Sequence, residues 1–220
     1  MVLPLLWSCS TKTEQNETKE YKKIPNSILI VYSSGTPSKT LSDVKPEEVD
    51  ALSGATPSIM NVEIISQKLY NELKKRGYTV KLVKASEIES YKEILQYDML
   101  IIGNPTYFWN VNWEIKKMLD INLGKIYIAK RKELKKMKHV VFSMCEYDKC
   151  GERANKQMGS AITDCSGKLN YSMVFEVKSI SQFETQINKL AASTDSIMTS
   201  SASPILQNRD KTKEKTGALK

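Results

Sequence analysis

Hydrophobic residues along this chain gather into short runs that alternate with stretches in which apolar positions recur every three or four residues. Five runs are rich in branched or aromatic side chains, at residues 27–32, 78–83, 99–102, 139–142 and 171–177, and each predicts a strand. The third, Met99-Leu100-Ile101-Ile102, is apolar throughout, the pattern of a parallel strand buried on both faces. Between the first two runs, Val62, Ile65, Leu69 and Leu73 keep helical spacing, and the stretch closes on Lys74-Lys75-Arg76-Gly77. That ending sets cations against the negative end of a helix and a glycine as its stop. Further helices are predicted at 113–119, 152–162 and 182–192. Strands alternating with helices in this order specify an α/β domain of ordinary size over residues 27–192.

The third strand carries the most informative chemistry. Gly103 and Pro105 are predicted to end it, and Tyr107, Phe108 and Trp109 follow at once. Three aromatics are thereby displayed at the carboxyl end of a central strand, the edge at which open α/β sheets bind ligands. The stretch Gly103-Asn104-Pro105-Thr106-Tyr107-Phe108-Trp109-Asn110 resembles the strand end of the flavodoxin-like family, with Asn104 in place of its usual Ser and Trp109 in place of its Gly. The resemblance implies a flavodoxin-like three-layer sandwich, a five-stranded parallel sheet in order 2-1-3-4-5 with helices on both faces. It also implies FMN as cofactor, with Tyr107, Phe108 and Trp109 on one face of the ring, Tyr147 on the other, backbone amides near Asn104 and Gly151 along its edge, and Pro105 and Thr106 in the same cofactor-binding loop.

The phosphate end of that cofactor needs a helix N-terminus. The family passes straight from the first strand through a hydroxyl-rich loop into the first helix, whereas here residues 35–57 intervene. Ser33 and Ser34 follow the strand directly, and Thr56, Ser58 and Asn61 precede the helix, so the latter three are expected to meet the phosphate while Ser33 and Ser34 line the strand side. Asp50-Ala51-Leu52-Ser53-Gly54-Ala55-Thr56 also resembles the target of flavin transferases, in which the final Thr carries FMN through a phosphoester. A non-covalent loop using the same hydroxyls is the alternative.

Composition modifies this picture. Thirty-three basic against twenty-five acidic residues give a net charge of +8, and residues 116–138 hold nine Lys or Arg against Asp120 and Glu133. Such a run is a solvated face, a docking patch for an acidic partner or anionic membrane, or a nucleic-acid groove. Tyr127, between Ile126 and Ile128, reads as packing beneath a loop rather than as a base-stacking platform, so no nucleic-acid partner is expected.

The apolar start 1–9, ending Leu-Trp-Ser-Cys9, turns abruptly polar through residue 23 and resembles a bacterial lipoprotein signal. That resemblance implies a lipid on Cys9, membrane anchoring through it and a cell-envelope location; a cytoplasmic leader with a chance cysteine is the alternative. Residues 1–26 are read as leader, with 10–25 disordered, and the Ser-, Thr- and Lys-rich 193–220 as a disordered tail. No run is long enough to span a bilayer as a helix.

Cys145 and Cys150 follow the fourth strand, where the resembling family places the second loop beside the flavin. They are a structural disulfide, a pair of ordinary thiols, or a pair touching redox chemistry. The single histidine, His139, falls within a strand and is expected in the core or at its edge, which argues against a zinc site or histidine-based nucleophilic catalysis. No catalytic side chain is assigned. The function expected is electron transfer by an FMN-binding protein, as a carrier or as an NAD(P)H-dependent reductase, with a redox protein or NAD(P)H as partner. The alternative is a flavin-free domain that docks an acidic partner through its basic run.

Overall fold

The computed structural model describes residues 21–34, 61–106, 109–145, 149–175 and 180–200. Five parallel strands form one sheet: β1 (Ser27–Tyr32), β2 (Thr79–Lys84), β3 (Met99–Pro105), β4 (Lys138–Met144) and β5 (Leu169–Phe175), in spatial order β2-β1-β3-β4-β5. This is the expected doubly wound architecture. Every residue of β1 and β3 is buried, whereas edge strand β2 alternates with solvent.

Because successive strand residues point to opposite faces, each central strand feeds two cores. Ile28, Ile30, Met99, Ile101, Val140 and Phe142 face one cluster, which is covered by α1 (Val62–Lys75) and α6 (Ile180–Thr199). Leu29, Val31, Leu100, Ile102 and Val141 face the other. That side is covered by α2 (Tyr91–Ile94), α3 (Trp113–Met118), a π-helical segment (Leu119–Leu123), α4 (Gly124–Lys136) and α5 (Cys150–Asp164). In α1, Asn61 caps the first turn by accepting from the Ile64 amide at 3.0 Å, Glu63 lies at the positive end, and Gly77 at φ +88° makes the turn into β2.

Four expectations are corrected. First, β3 runs through Gly103 and Pro105 instead of ending at Ile102. A side chain at Gly103 would lie 2.5 Å from the Phe142 ring, so the glycine is the space that ring occupies. Pairing with β1 ends at Tyr32–Gly103, so Pro105 lacks a donor where β1 no longer needs one. Second, α6 continues past 192 to Thr199. Buried Thr194 bonds back to the Leu190 carbonyl at 2.9 Å, Ile197 and Met198 pack on the core, and Tyr78 donates to Asp195; a Ser- and Thr-rich composition masked an apolar stripe.

Third, the leader is already ordered at Tyr21. Tyr21 and Ile24 pack on the core, the Ile24 amide donates to Gln96 at 2.8 Å, and Lys23 donates to the Tyr97 carbonyl at 2.7 Å. Fourth, residues 124–136 form a helix that periodicity does not reveal, because only Ile126 and Leu134 are buried in it and Lys130 breaks its regular geometry (φ −143°, ψ 37°). Tyr127 therefore sits exposed on a helix rather than beneath a loop.

His139 is a core residue, as expected. Its Nδ1 lies 3.1 Å from the Lys168 carbonyl, its Nε2 has no partner, and burial pulls its pKa down to about 4. The native state thus keeps the ring neutral. Its contribution to stability is complete above pH about 6.5 and falls by about 3 kcal/mol as pH drops toward about 4, where the folded protein also takes up the proton. Urea unfolding of His139→Leu at successive pH values should show a shallower acid-side slope than the parent; equal slopes would contradict this assignment.

Candidate functional site

The strand order reverses direction between β1 and β3, and chain segments diverge there to opposite faces of the sheet. A set of hydrogen bonds fixes this edge. Asn104, fully buried at the end of β3, accepts from the Asn112 amide at 2.8 Å and donates to the Thr106 hydroxyl at 3.4 Å. Asn112 caps α3 by accepting from the Glu114 amide at 2.9 Å, and it also accepts from the Ser33 hydroxyl at 3.1 Å. Glu114 is the closer acceptor for Ser33, at 2.6 Å.

The loop after β3 is pinned on its far side as well. Gln157 of α5 accepts from the Val111 amide at 3.1 Å and donates to the Asn110 side chain at 3.3 Å. Deeper in, Asn155 accepts from Ser143 at 2.7 Å and donates to the Met173 carbonyl at 2.9 Å, which holds α5 against β4 and β5. Between these anchors Trp109 stands half-exposed in the left-handed region, at φ 61°. That conformation suits the glycine this position resembles and is strained for a large side chain.

Helix α1 opens at the same edge. Tyr32, the last residue of β1, donates to Glu63 in the first turn at 3.3 Å, and burial followed by the Glu63 carboxylate pushes the phenol pKa up strongly. With Asn61 satisfying the Ile64 amide, the amides of Val62 and Glu63 stand where a helix has no internal acceptor. They are available to an anion at the positive end of the dipole.

Across the sheet edge, Cys145 and Cys150 form a disulfide, with Cα atoms 6.1 Å apart, that closes the segment between β4 and α5. Gly151 lies buried in the first turn of α5, and a side chain there would come within 2.5 Å of Val174.

The structure therefore brings Ser33, Ser34, Asn61, Asn104, Pro105, Thr106, Trp109 and Gly151 to the carboxyl edge of the sheet or the helix turns that border it. Thr56, Ser58, Tyr107, Phe108 and Tyr147 lie outside the described residues. Ser33 is fully buried on the strand side, and its hydroxyl donates to Glu114 or Asn112, which ties the end of β1 to the start of α3. Asn104 turns its side chain into the loop, and Pro105 belongs to the strand.

Asn112, Glu114, Asn155 and Gln157 were not anticipated. Asn112 carried a local signal, a capping residue just before the predicted helix at 113; the other three act through partners distant in sequence. Among the described residues no group of three or more His, Cys, Asp or Glu is placed to hold a metal ion.

The fold is that of the flavodoxins. The chain is similar to rubredoxin oxygen:oxidoreductase from Desulfovibrio gigas (15% identity, TM-score 0.56), over 84% of this chain and 38% of that one. It is similar to oxidised flavodoxin 2 from Bacillus cereus (18% identity, TM-score 0.55, 78% of this chain and 99% of that one). Oxidised flavodoxin 1 from the same organism aligns at 11% identity and TM-score 0.56, over 77% and 97% of the two chains. Identities this low establish the shared fold alone. No family model matches the sequence, and no curated protein matches it.

The disulfide makes a direct prediction. A Cys9→Ser chain unfolded without reductant should show one reactive thiol, Cys165, and three after reduction. Three thiols without reductant, in protein purified under air, would exclude the bond.

Proposed function

We propose that this chain is an FMN-binding redox protein that passes electrons, as a carrier or as an NAD(P)H-dependent reductase. One observation carries the reading: the strand-order reversal, the first two amides of α1, which meet no acceptor among the described residues, and the half-exposed Trp109 converge on one edge of the sheet. The described residues fit FMN on those grounds. The amides of Val62 and Glu63, with the hydroxyls of Ser34, Thr56 and Ser58, would hold the phosphate. Tyr107, Phe108 and Trp109 would cover one ring face and Tyr147 the other, with the Gly151 amide at the ring edge.

Bound FMN supplies the redox chemistry. The protein's part is to orient the ring and set its electronics: aromatic faces are electron-rich and disfavour added negative charge on a stacked ring. A carrier needs only an exposed ring edge, whereas a reductase needs one face open to nicotinamide.

Two further elements belong to the proposal. Thr56 is the point of phosphate contact, and of covalent attachment where a flavin transferase acts on the Ser-Gly-Ala-Thr sequence. The protein lies in the cell envelope, anchored through Cys9. The lipoprotein-like start supports that location, as does the Cys145–Cys150 disulfide, since such bonds persist outside the cytoplasm.

Protein purified with FMN supplied should be yellow and should quench the fluorescence of added FMN. A colourless product that leaves that fluorescence unchanged overturns the reading in favour of a flavin-free docking domain. Bleaching of the yellow colour by NADH or NADPH identifies a reductase, and its absence a carrier.

Thr56→Ala should weaken FMN retention about tenfold or more, the worth of one hydrogen bond to a charged group. After coexpression with a flavin transferase, a fluorescent band on a denaturing gel marks the covalent form. Parent-like affinity in Thr56→Ala, with no such band, would place the phosphate elsewhere, most directly on residues 33–40.

A further inference from the structure

Among the described residues, the large apolar side chains with substantial exposure all lie between positions 109 and 128: Trp109, Trp113, Ile121, Tyr127 and Ile128. Two stand far out, Trp113 at 66% exposed and Ile128 at 85%. Scattered exposed apolar residues need no explanation, but confinement to one stretch does.

The same stretch carries the basic run. Its two acids are already engaged, Asp120 with Lys116 at 2.7 Å and Glu133 with Lys136 at 2.9 Å. Arg131 donates to Ser166 at 2.7 Å and lies over the Tyr127 ring, 5.0 Å from its centre. Lys117, Lys125, Lys130, Lys132 and Lys135 remain exposed, with no side-chain partner among the described residues.

These charges and apolar groups share a face. Trp113, Ile121 and the three lysines Lys92, Lys117 and Lys125 line one groove of about 640 Å³, against the two carboxylates Glu89 and Glu114. Asn122, buried to 7% exposure within the π-helical segment, also lines that groove and has no side-chain hydrogen bond among the described residues. Ile128 follows one turn beyond Lys125. Segments of π-helix inside longer helices recur at functional positions.

We infer that α3, the π-helical segment and α4 form a docking surface for an anionic lipid bilayer, with the groove receiving a phospholipid headgroup. Lysines answer the negative surface charge, while Trp113, Ile121 and Ile128 enter the headgroup–acyl boundary, a division of labour characteristic of interfacial helices. A nucleic-acid groove would need free stacking faces, and Tyr127 is covered by Arg131. A purely acidic protein partner would leave the exposure of Ile128 unexplained.

The path of the chain agrees. Tyr21 and Ile24 pack on the core that α4 covers, and burial followed by the Glu133 carboxylate of α4 raises the pKa of the Tyr21 phenol, so the leader enters the fold beside this surface. Residues 10–20 can reach at most about 40 Å when extended. A lipid on Cys9 would therefore hold the docking face close to the bilayer, although the inference does not depend on that lipid.

The test uses the full chain as Cys9→Ser, with vesicles of phosphatidylcholine alone or mixed with phosphatidylglycerol. The protein should sediment with the mixed vesicles and not with pure phosphatidylcholine. Lys117→Gln and Lys125→Gln should each lower partitioning about fivefold. Trp113→Ser and Ile128→Ser should lower it further and abolish the blue shift of tryptophan emission, while circular dichroism stays as in the parent. No binding to the anionic vesicles at low salt overturns the inference. So does binding that Trp113→Ser and Ile128→Ser leave unchanged, which would mark a purely electrostatic site for an acidic protein.

Discussion

The pairing of β1 with β3, strands separated in sequence by all of α1, β2 and α2, is the constraint on which the rest depends. It places two wholly buried strands side by side at the centre of the sheet, with Tyr32 opposite Gly103 as the last pair. Beyond that pair the segments part: one leaves toward α1, the other toward α3. The order of the strands reverses there, and the candidate site residues gather at that edge for the same reason. Gly103 makes this possible locally, since the Phe142 ring fills the volume any side chain would need, and a substitution would push that ring or the strand aside.

Polar residues at this edge work mostly to hold the loops. Fully buried Asn104 and Ser33 bond to half-buried Asn112 and Glu114, and no apolar substitute could make the same set of bonds. The network ties residues 110–112 to the end of β3 and to α5. An aromatic side chain beside such anchors, as Trp109 is, would meet a flat ligand with less of its own ordering left to do. The cost is visible at Trp109 itself, held in a conformation that a glycine would adopt freely.

Charge is distributed separately from this site. Glu63 and Glu114 stand at the strand ends, whereas the lysines of 116–136 lie on the helices over one sheet face. The proposed flavin site and the proposed bilayer surface are thus adjacent regions of one molecule: Glu114 bonds Ser33 on one side and lines the lysine-rich groove on the other. A protein docked through α3 and α4 would carry its redox edge at a fixed orientation relative to the membrane.

The alternation of apolar runs and helical stretches determined the fold class, the five strands and the strong helix α1, because each depends on local periodicity that burial on two faces demands. The end of the third run lies, as expected, at the carboxyl edge of the sheet beside the reversal of strand order. The tertiary structure alone decided the rest. Residues 124–136 are helical because two buried side chains and the neighbouring π-helical segment hold them there, too little to create a pattern. Gly103 and Pro105 stay in the strand because the Phe142 ring replaces a side chain at one and β1 stops before the other. The Ser33 hydroxyl meets Asn112 and Glu114, which lie about eighty positions away. A hydroxyl's role is set by the acceptor it meets, and contacts across that distance leave no trace in local sequence.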